Sequence, residues 1–243
     1  MSITDGDPTG DLSKLIHTAR EEKRRLLSEP EAKAFLRARG IRVPAAQFIR
    51  TAAEAAAAFN AVGAPVVVKA VAPQLTHKTD AGGIMFPIAS PAAAEDACKT
   101  IAERVNARHS DIVITGFLIE AFRPGQPEWI VALRNDDQFG PVIMFGLGGI
   151  FVESLRQVSF RLAPLRDSDV AALLNDGLAT RLLNDTRGQP AGHRAALADI
   201  LRRLSALSQL PEVARDIEEI EINPIVVNEG GALALDALIT LRA

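Results

Sequence analysis

A group of residues able to bind phosphate follows a short apolar segment in the first half of the chain. Lys69 lies near the end of the apolar run that begins at Val66. The loop after this run contains His77, Lys78, Thr79, Gly82 and Gly83. A lysine held at the end of a rigid strand presents a compact positive charge, which suits a nucleotide phosphate. Paired glycines let the backbone approach an anion closely, so that N–H groups can point at it. The pattern therefore predicts a phosphate-handling loop, whereas Lys69 alone is equally compatible with a side chain that reaches solvent.

The histidine of this loop, His77, has three possible roles on its own. It is a general base, a phosphoryl acceptor or a hydrogen-bonded loop residue, and a lone histidine is most often the last. A neutral imidazole nitrogen can accept a phosphoryl group near neutral pH. The loop does not follow the Gly-x-x-x-x-Gly-Lys-[Ser/Thr] pattern, so it is not a P-loop.

A second candidate site lies near the C-terminus, in the segment EIEINPIVVNEGGALALDALI. A two-residue turn at Glu229-Gly230 would place Asn223 directly opposite Asp236, since paired residue numbers in a hairpin keep a constant sum. Opposed side chains of an antiparallel pair lie on one face, about 5 Å apart. Glu221 shares that face by strand alternation. Carboxylate and amide oxygens suit a hard cation such as Mg²⁺, and the alternative is a hairpin whose polar face is simply solvated.

A third group of residues lies in the middle of the chain. The backbone at Glu120 could bond a flat heterocycle, Phe122 could line its edge, and Glu128 could reach a ribose hydroxyl. For each carboxylate alone, a surface position beside a turn is the simpler interpretation. The nearby Gly146-Leu147-Gly148-Gly149 lacks the Gly-x-Gly-x-x-Gly pattern, so a dinucleotide loop is rejected.

Composition limits the class of protein. The 243 residues suffice for one domain or two lobes. A net charge of -3, from 27 basic and 30 acidic residues, argues against a general nucleic-acid grip. The single cysteine, Cys98, excludes an internal disulfide and is predicted to fill the core. No apolar stretch reaches the roughly 18 residues of a membrane span, and the polar N-terminus has no signal-like segment, so the sequence predicts a cytoplasmic protein without a membrane partner.

Local patterns predict the elements that position these residues. Helices are expected at 12–27, 29–39, 52–62, 91–108, 167–174 and 193–207. Strands are expected at 41–43, 47–49, 66–70, 83–88, 111–121, 128–133, 141–146, 151–155, 159–162, 217–227 and 232–240. The order from 47 to 121 is β-α-β-β-α-β, typical of a split βαβ lobe. The sequence therefore predicts an α+β fold, with a disordered tail at 1–11, a first lobe at 12–120 and a second lobe at 121–243.

Four segments carry a resemblance to a known family. VVVKAVAPQLTHKTDAGGI, PVIMFGLGGIFVE, FRLAPL and EIEINPIVV…LDA occur in this order. With them, the chain resembles the ATP-grasp domain of nucleoside-diphosphate-forming acyl-CoA synthetases over roughly Leu26 to Ala243. It is most similar to the β subunit of ADP-forming acetate–CoA ligases, and succinyl-CoA synthetase β is a more distant relative. The resemblance implies an ATP-grasp fold, in which two α+β lobes enclose a nucleotide cleft.

The resemblance also implies roles for the candidate residues. Lys69 and the loop with Lys78, Thr79, Gly82 and Gly83 would contact phosphate. Glu120 and Phe122 would flank the adenine, and Glu128 would approach the ribose. Asn223 and Asp236 would bind Mg²⁺ with Glu221 as a third ligand, and His77 would carry the phosphoryl group. The implied cofactors are ATP or ADP and Mg²⁺.

The reaction implied by the resemblance is acyl-CoA + ADP + phosphate giving carboxylate, CoA and ATP, through phosphohistidine. A CoA-binding α-type subunit, in an α₂β₂ assembly, would bind CoA and the carboxylate. One alternative is a regulatory ATP-grasp module that senses nucleotide without turnover. Another is an ATP-grasp ligase that joins a carboxylate to an amine, but no segment is left over for its acceptor site.

Overall fold

A computed structural model describes residues 11–73, 75, 78–149, 157–184 and 192–243. These residues group into two compact units, which are described separately below. The first unit contains residues 28–34 and 44–123, and the second contains residues 11–27, 35–43 and the described part of 124–243. The change of unit after Arg123 lies close to the predicted lobe boundary. Residues 11–27 and 35–43, in contrast, group with the later part of the chain and not with the predicted first lobe.

The helices and strands have the following bounds. The helices are α1 (Leu12–Glu21), α2 (Glu29–Ala38), α3 (Ala55–Val62, preceded by a 3₁₀ turn at Ala52–Glu54), α4 (Pro91–Arg108), α5 (Asp167–Leu174), α6 (Gly177–Asn184), α7 (Gly192–Leu207) and α8 (Pro211–Asp216). The strands are β1 (Leu26–Leu27), β2 (Ala46–Ile49), β3 (Val66–Val71), β4 (Ile84–Ile88), β5 (Gly116–Ala121), β6 (Trp129–Asp136), β7 (Gly140–Leu147), β8 (Val158–Leu162), β9 (Ile217–Asn228), β10 (Gly231–Ala234) and β11 (Ala237–Leu241).

The first unit is built on an antiparallel four-stranded sheet in the order β2-β5-β3-β4. Alternate residues of β3 and β5, such as Val68 and Ile119, form one core cluster with residues of α3 and α4. Cys98 of α4 belongs to this cluster, and burial raises the pKa of its thiol to about 12. The predicted role of this cysteine as core filler is therefore confirmed, since a neutral buried thiol is unreactive.

Helix α4 shows how local signals position this layer. The Ser90 side chain accepts a hydrogen bond from the Ala93 N–H at 3.2 Å, and Pro91 occupies the first turn. Both features stabilise a helix N-terminus, because the first N–H groups have no partners within the helix.

The second unit is built on a seven-stranded sheet in the order β1-β11-β9-β6-β7-β8, with β10 also paired to β9. Helix α7 contacts β6, β9 and β10, and its Leu197, Leu201 and Leu204 are fully buried. Trp129 at the start of β6 stacks on Phe145 of β7, with ring centroids 5.4 Å apart and an interplanar angle of 12°. This apolar layer holds the adjacent polar strand ends in fixed positions.

The predicted order of the first unit and the predicted helices α2 and α4 are confirmed. The predicted helix 12–27 was too long, because Leu26 and Leu27 instead pair with Thr240 and Ile239 of β11. The strand expected at 41–43 is not formed, helix α6 was missed, and the strand expected at 151–155 lies outside the described residues. Pairing between segments about two hundred residues apart leaves no local periodicity that could have revealed β1.

Among the helices of the described residues, none combines the length and the apolar composition that a bilayer crossing requires.

Candidate functional site

Five charged side chains form a buried cluster in the first unit. They are Glu29 and Lys33 of α2, Lys69 of β3, Lys78 of the following loop and Glu120 of β5. Lys33 and Glu120 are each only 1% exposed. Buried charges are costly unless they are paired, so the geometry of the pairs decides what this cluster can do.

Four of these groups alternate in a closed ring. Glu29 Oε1 lies 2.7 Å from Nζ of both Lys33 and Lys69. Glu120 pairs with the same two lysines, through Oε1 with Lys69 at 3.0 Å and through Oε2 with Lys33. The sheet register explains the second pair: Val67 lies opposite Glu120, so Lys69 is its diagonal neighbour on the same face. Two carboxylates and two ammonium groups therefore balance each other on regular elements.

Lys78 is the fifth member and comes from the loop. Its Nζ lies 3.1 Å from Glu29 Oε2, yet Oε2 accepts no hydrogen bond from a described residue. The ammonium is thus within ion-pair distance but outside hydrogen-bond geometry. With Lys78 included, the five named groups comprise three ammonium groups and two carboxylates.

The electrostatics keep Glu29 ionised. Burial acts to raise its pKa, but the charges of Lys33, Lys69 and Lys78 outweigh burial and hold the pKa well below its usual value. Glu29 and Lys33 were not predicted as site residues, because the Ser28-Glu29-Pro30-Glu31 segment is fully accounted for as the start of a helix. Ser28 does donate to Glu31 from both its N–H and its hydroxyl, at 2.6 and 2.8 Å.

The backbone N–H groups of the loop glycines have partners in the structure. The Gly82 N–H donates to the Thr79 carbonyl at 3.1 Å, and the Gly83 N–H donates to the Lys78 carbonyl at 2.7 Å. In this conformation both N–H groups bond to carbonyls of the loop itself, and their contact with an anion stays a prediction. Gly82 has φ +72°, and a Cβ there would overlap the guanidinium of Arg108. Glycine is required here for a tight turn beneath α4.

The carboxylate of Glu120 is buried, so its interpretation as a surface residue was wrong. Its backbone is paired in register with Ala46 on one side and Val67 on the other. Two residues further on, the ring of Phe122 stacks on that of Phe86 at 5.4 Å and 25°. Phe86 is 56% exposed and was not predicted from the sequence. The two rings form an aromatic surface at the edge of the first unit's sheet.

His77 lies outside the described residues, so the structure gives no position for the predicted phosphoryl carrier.

In the second unit, the predicted hairpin register is confirmed. Asn228 pairs with Gly231, and the Asn223 N–H donates to the Asp236 carbonyl at 3.3 Å. Asp236 sits in the gap between β10 and β11, where its Oδ1 accepts the N–H of Ala237 at 2.8 Å. The gap explains why one predicted strand, 232–240, is two strands in the structure.

Two of the three predicted metal ligands, Asn223 and Glu221, have side chains that lie close together. Asn223 Nδ2 is 3.5 Å from Glu221 Oε1, and Asn223 Oδ1 accepts the Gly149 N–H at 2.9 Å. An amide oxygen with two carboxylates is a donor set that fits Mg²⁺. Within the described ranges, no three His, Cys, Asp or Glu side chains are grouped so as to hold a metal alone. A cation here would therefore depend on the amide and on oxygens from nucleotide or water.

Gly149 brings Glu128 to the same place. It has φ +59°, and a Cβ there would overlap the Glu128 carboxylate. Burial raises the pKa of Glu128, which is opposite to the shift of Glu29. The glycine segment that the sequence analysis rejected as a dinucleotide loop thus has a different use: it lets the backbone touch both Glu128 and Asn223.

The comparisons with known proteins agree with this fold. Residues 18–241 match the family described as the ATP-grasp domain, and the chain belongs to that family.

Within it, the chain is 41% identical to acetate–CoA ligase (ADP-forming) I subunit beta of Pyrococcus furiosus, across 94% of this chain and 97% of that subunit. It is 35% identical to 4-hydroxybutyrate–CoA ligase (ADP-forming) of Nitrosopumilus maritimus, across 90% of this chain but only 31% of that longer protein.

Solved structures give the same result. The fold is similar to dinucleotide-forming acetyl-coenzyme A synthetase 1 of Ca. Korarchaeum cryptofilum in complex with coenzyme A, Ca-AMPCP and HgCl+, with a TM-score of 0.87, 37% identity, and coverage of 94% of this chain and 99% of that chain. A structure of the same protein with coenzyme A and Mg-AMPPCP has its phosphohistidine segment pointing towards the nucleotide binding site, and matches with a TM-score of 0.78, 35% identity and the same coverage. The predicted family and ATP-grasp fold are confirmed.

Proposed function

We propose that this chain is the ATP-binding, phosphoryl-transferring β-type subunit of a cytoplasmic ADP-forming acyl-CoA synthetase. The observation that carries the proposal is the match to an entire β subunit, 97% of it, at 41% identity. A match over a whole subunit supports a shared role better than a match to one motif. The proposed overall reaction is acyl-CoA + ADP + phosphate to carboxylate + CoA + ATP.

The first unit would supply the phosphate and base contacts. Lys69 and Lys78 provide fixed positive charge, and Thr79, Gly82 and Gly83 form the loop beside them. Glu120 pairs with Lys69 and so orients it, while Phe122 and Phe86 offer an aromatic surface that suits an adenine ring. Fixed cations matter in phosphoryl transfer because the charge of the transferred group must be stabilised.

The second unit would supply the metal and ribose contacts. Asn223 and Asp236, with Glu221, would hold Mg²⁺, and Glu128 would accept a hydrogen bond from the ribose. When bound, Mg²⁺ would neutralise phosphate charge. The support is the confirmed register of Asn223 with Asp236 and the 3.5 Å contact between Asn223 and Glu221.

We propose that His77 carries the phosphoryl group. In the direction of ATP synthesis, the N–P bond of phosphohistidine breaks while a terminal oxygen of ADP forms the new O–P bond. The imidazole nitrogen that loses the phosphoryl group takes up a proton from solvent, so the histidine product is neutral. The support is the sequence position of His77, in the loop directly after Lys69, and the phosphohistidine segment named for the archaeal structure.

The acyl and CoA chemistry would belong to a separate CoA-binding α-type subunit, in an α₂β₂ assembly. The chain covers all but a few percent of a relative named as a β subunit, but about a third of a longer CoA ligase. The missing functions of that longer protein must have another source if this chain performs the same reaction. CoA and the carboxylate substrate would therefore bind the partner.

The test is to incubate the chain with ATP labelled at the γ-phosphate and Mg²⁺, with and without a CoA-binding α-type subunit. We expect label on protein that is acid-labile and base-stable, as for a phosphohistidine. His77→Ala should abolish the label on this chain, whereas His109→Ala, at the exposed end of α4, should leave it unchanged. With the partner, CoA and a carboxylate, labelled ATP should be consumed.

Nucleotide binding without label, even with the partner present, would contradict the proposal and support a nucleotide-sensing module. Equal labelling of the wild-type chain and the His77→Ala variant would contradict the proposal that His77 carries the phosphoryl group, but not the proposed function of the chain.

A further inference from the structure

The carboxylate of Glu29 contacts three lysines, and no other described carboxylate links Lys69 to Lys78. We propose that Glu29 is a positioning residue of the phosphate site, which holds the ammonium groups of Lys69 and Lys78 side by side and balances their charge, with Lys33 as the remaining partner. The inference rests on the proposed function, since it assigns Lys69 and Lys78 to phosphate.

The geometry shows why one residue can hold this role. Lys69 is fixed on β3 and pairs with Oε1 of Glu29, at 2.7 Å. Lys78 belongs to the loop and lies 3.1 Å from Oε2 of the same group. The two oxygens share one carbon atom, so the carboxylate determines how close the two lysines come. Without it, two like charges in a buried place would repel each other.

The position of Glu29 in the chain makes the carboxylate itself rigid. It is the first residue of α2, and Lys33 follows one helical turn later on the same face. The start of α2 is fixed by the bonds between Ser28 and Glu31. Lys33 in turn pairs with Glu120, so Glu29 is anchored at the helix start and through the ring.

The charge count predicts what happens when Glu29 is removed. The intact cluster has three ammonium groups and two carboxylates. A Glu29→Gln variant would carry one more net positive charge in this buried cluster than the wild type. Burial disfavours this added charge, so one ammonium should release its proton more readily. A lysine that has lost its proton no longer attracts phosphate.

The experiment compares four proteins: wild type, Glu29→Gln, Lys33→Met and the double variant Glu29→Gln/Lys33→Met. The double variant loses one negative and one positive charge, so it keeps the net charge of the wild type. Methionine is chosen because a buried charged side chain replaced by an apolar one of similar volume is often tolerated. Dissociation constants for ADP and for adenosine are measured by calorimetry from about pH 6 to pH 9, the range below the ordinary lysine pKa of about 10.4.

For Glu29→Gln we expect weaker ADP binding that worsens with pH, by up to about tenfold per pH unit where one proton must be taken up on binding. Adenosine binding should not change, because adenosine has no phosphate. The wild type and the double variant should show no such trend with pH. The pH trend separates this role from a merely structural one, which would weaken ADP and adenosine alike at every pH.

Urea unfolding without nucleotide gives an independent measurement. In Glu29→Gln, a lysine should bind its proton less tightly in the folded than in the unfolded chain. The unfolded state then binds more protons, so stability rises with pH, and the deficit relative to wild type is largest at low pH. The double variant should lose this trend. If wild type binds no ADP, the proposed function fails, while the unfolding series still decides the role of Glu29.

Glu95→Gln is the control, because it removes the carboxylate of an exposed ion pair with a lysine, Lys99, on α4. It should leave both ADP binding and the pH dependence of stability unchanged. The proposal is overturned if Glu29→Gln behaves like Glu95→Gln, or if the double variant shows the same pH trends as Glu29→Gln.

Discussion

Glu29 in the first unit and Glu128 in the second are both carboxylates partly or wholly removed from water, yet their pKa values shift in opposite directions. Burial acts to raise the pKa of Glu29, but three lysines lower it below its usual value. Burial alone raises the pKa of Glu128, and no ion pair is found for it among the described residues. The Glu29 cluster therefore contains its own counter-charges, whereas none is found for Glu128 within the described part of the chain.

Another carboxylate of the second unit shows the same tendency. The pKa of Glu219 is raised by burial first and then by the charge of Glu221, against an opposing effect of Arg134. An added cation would relieve the repulsion between Glu219 and Glu221. Under the proposed function, the lysines of the first unit would contact phosphate, and the acidic groups of the second unit would bind the metal.

The largest expected effect comes from the first unit. Lys69→Met should lower the rate of ATP formation by about a hundredfold to a thousandfold, as for loss of one partner of a buried charge pair. Lys99→Met removes an exposed lysine that pairs with Glu95 at 2.8 Å, and should change the rate little. Steady-state kinetics with the α-type partner measure both. A similar rate for the two variants would contradict the proposed role of Lys69 in phosphate binding.

The next effect concerns the second unit. Asp236→Asn should raise the Mg²⁺ concentration for half-maximal activity by about tenfold to a hundredfold, because a charged donor is lost. Asp137→Asn changes a carboxylate that is 94% exposed and bonded to Arg242, so the Mg²⁺ requirement should remain that of wild type. Titration of activity with Mg²⁺ decides the matter, and an unaltered curve for Asp236→Asn would exclude Asp236 as a ligand.

A smaller effect of opposite sign is expected for Glu128. The pKa of Glu128 is about 4.3 in the unfolded chain and higher in the folded chain. Between these two pKa values the folded chain binds more protons than the unfolded chain, so stability falls as pH rises through that range. Glu128→Gln should therefore raise the urea midpoint near neutral pH and leave it unchanged near pH 4, while ADP binds more weakly. A lower midpoint near neutral pH would show that Glu128 is compensated after all.

The smallest effect is expected for a change that lowers stability but leaves both candidate sites intact. Ser90→Ala removes the cap of α4 and should cost about 1 kcal/mol of unfolding free energy. The ADP dissociation constant and the Mg²⁺ requirement should match those of wild type. If Ser90→Ala lowers both stability and ADP affinity, the positions of the lysines proposed to contact phosphate depend on the packing of α4.

Local chemistry explains which parts could be predicted. The register of Asn223 with Asp236 follows from one turn a few residues away, and the start of α4 follows from Ser90-Pro91. The cluster around Glu29 could not be derived in the same way, because its members come from three regions far apart in the chain: α2, β3 with the loop after it, and β5. One signal was present: Lys33 is flanked by Ala32 and Phe35 at buried helical positions, which indicates a buried ammonium that requires partners.

The glycines show the same limit. Gly149 was identified only as an interruption of strand-like sequence, since its contacts with Glu128 and Asn223 arise from β6 and β9. The expectation that Gly82 and Gly83 direct N–H groups at an anion assumed an open loop. In the structure these groups bond to carbonyls of the loop itself, a choice that depends on how tightly the loop turns.

The stacked ring of Trp129 gives the molecule a natural optical probe. The chain has one tryptophan and no tyrosine, so emission excited at the indole band reports on the second unit alone. Its neighbour in the chain is Glu128, and the Gly148 backbone passes against its own. Fluorescence should therefore follow events at the acidic donors without any attached dye.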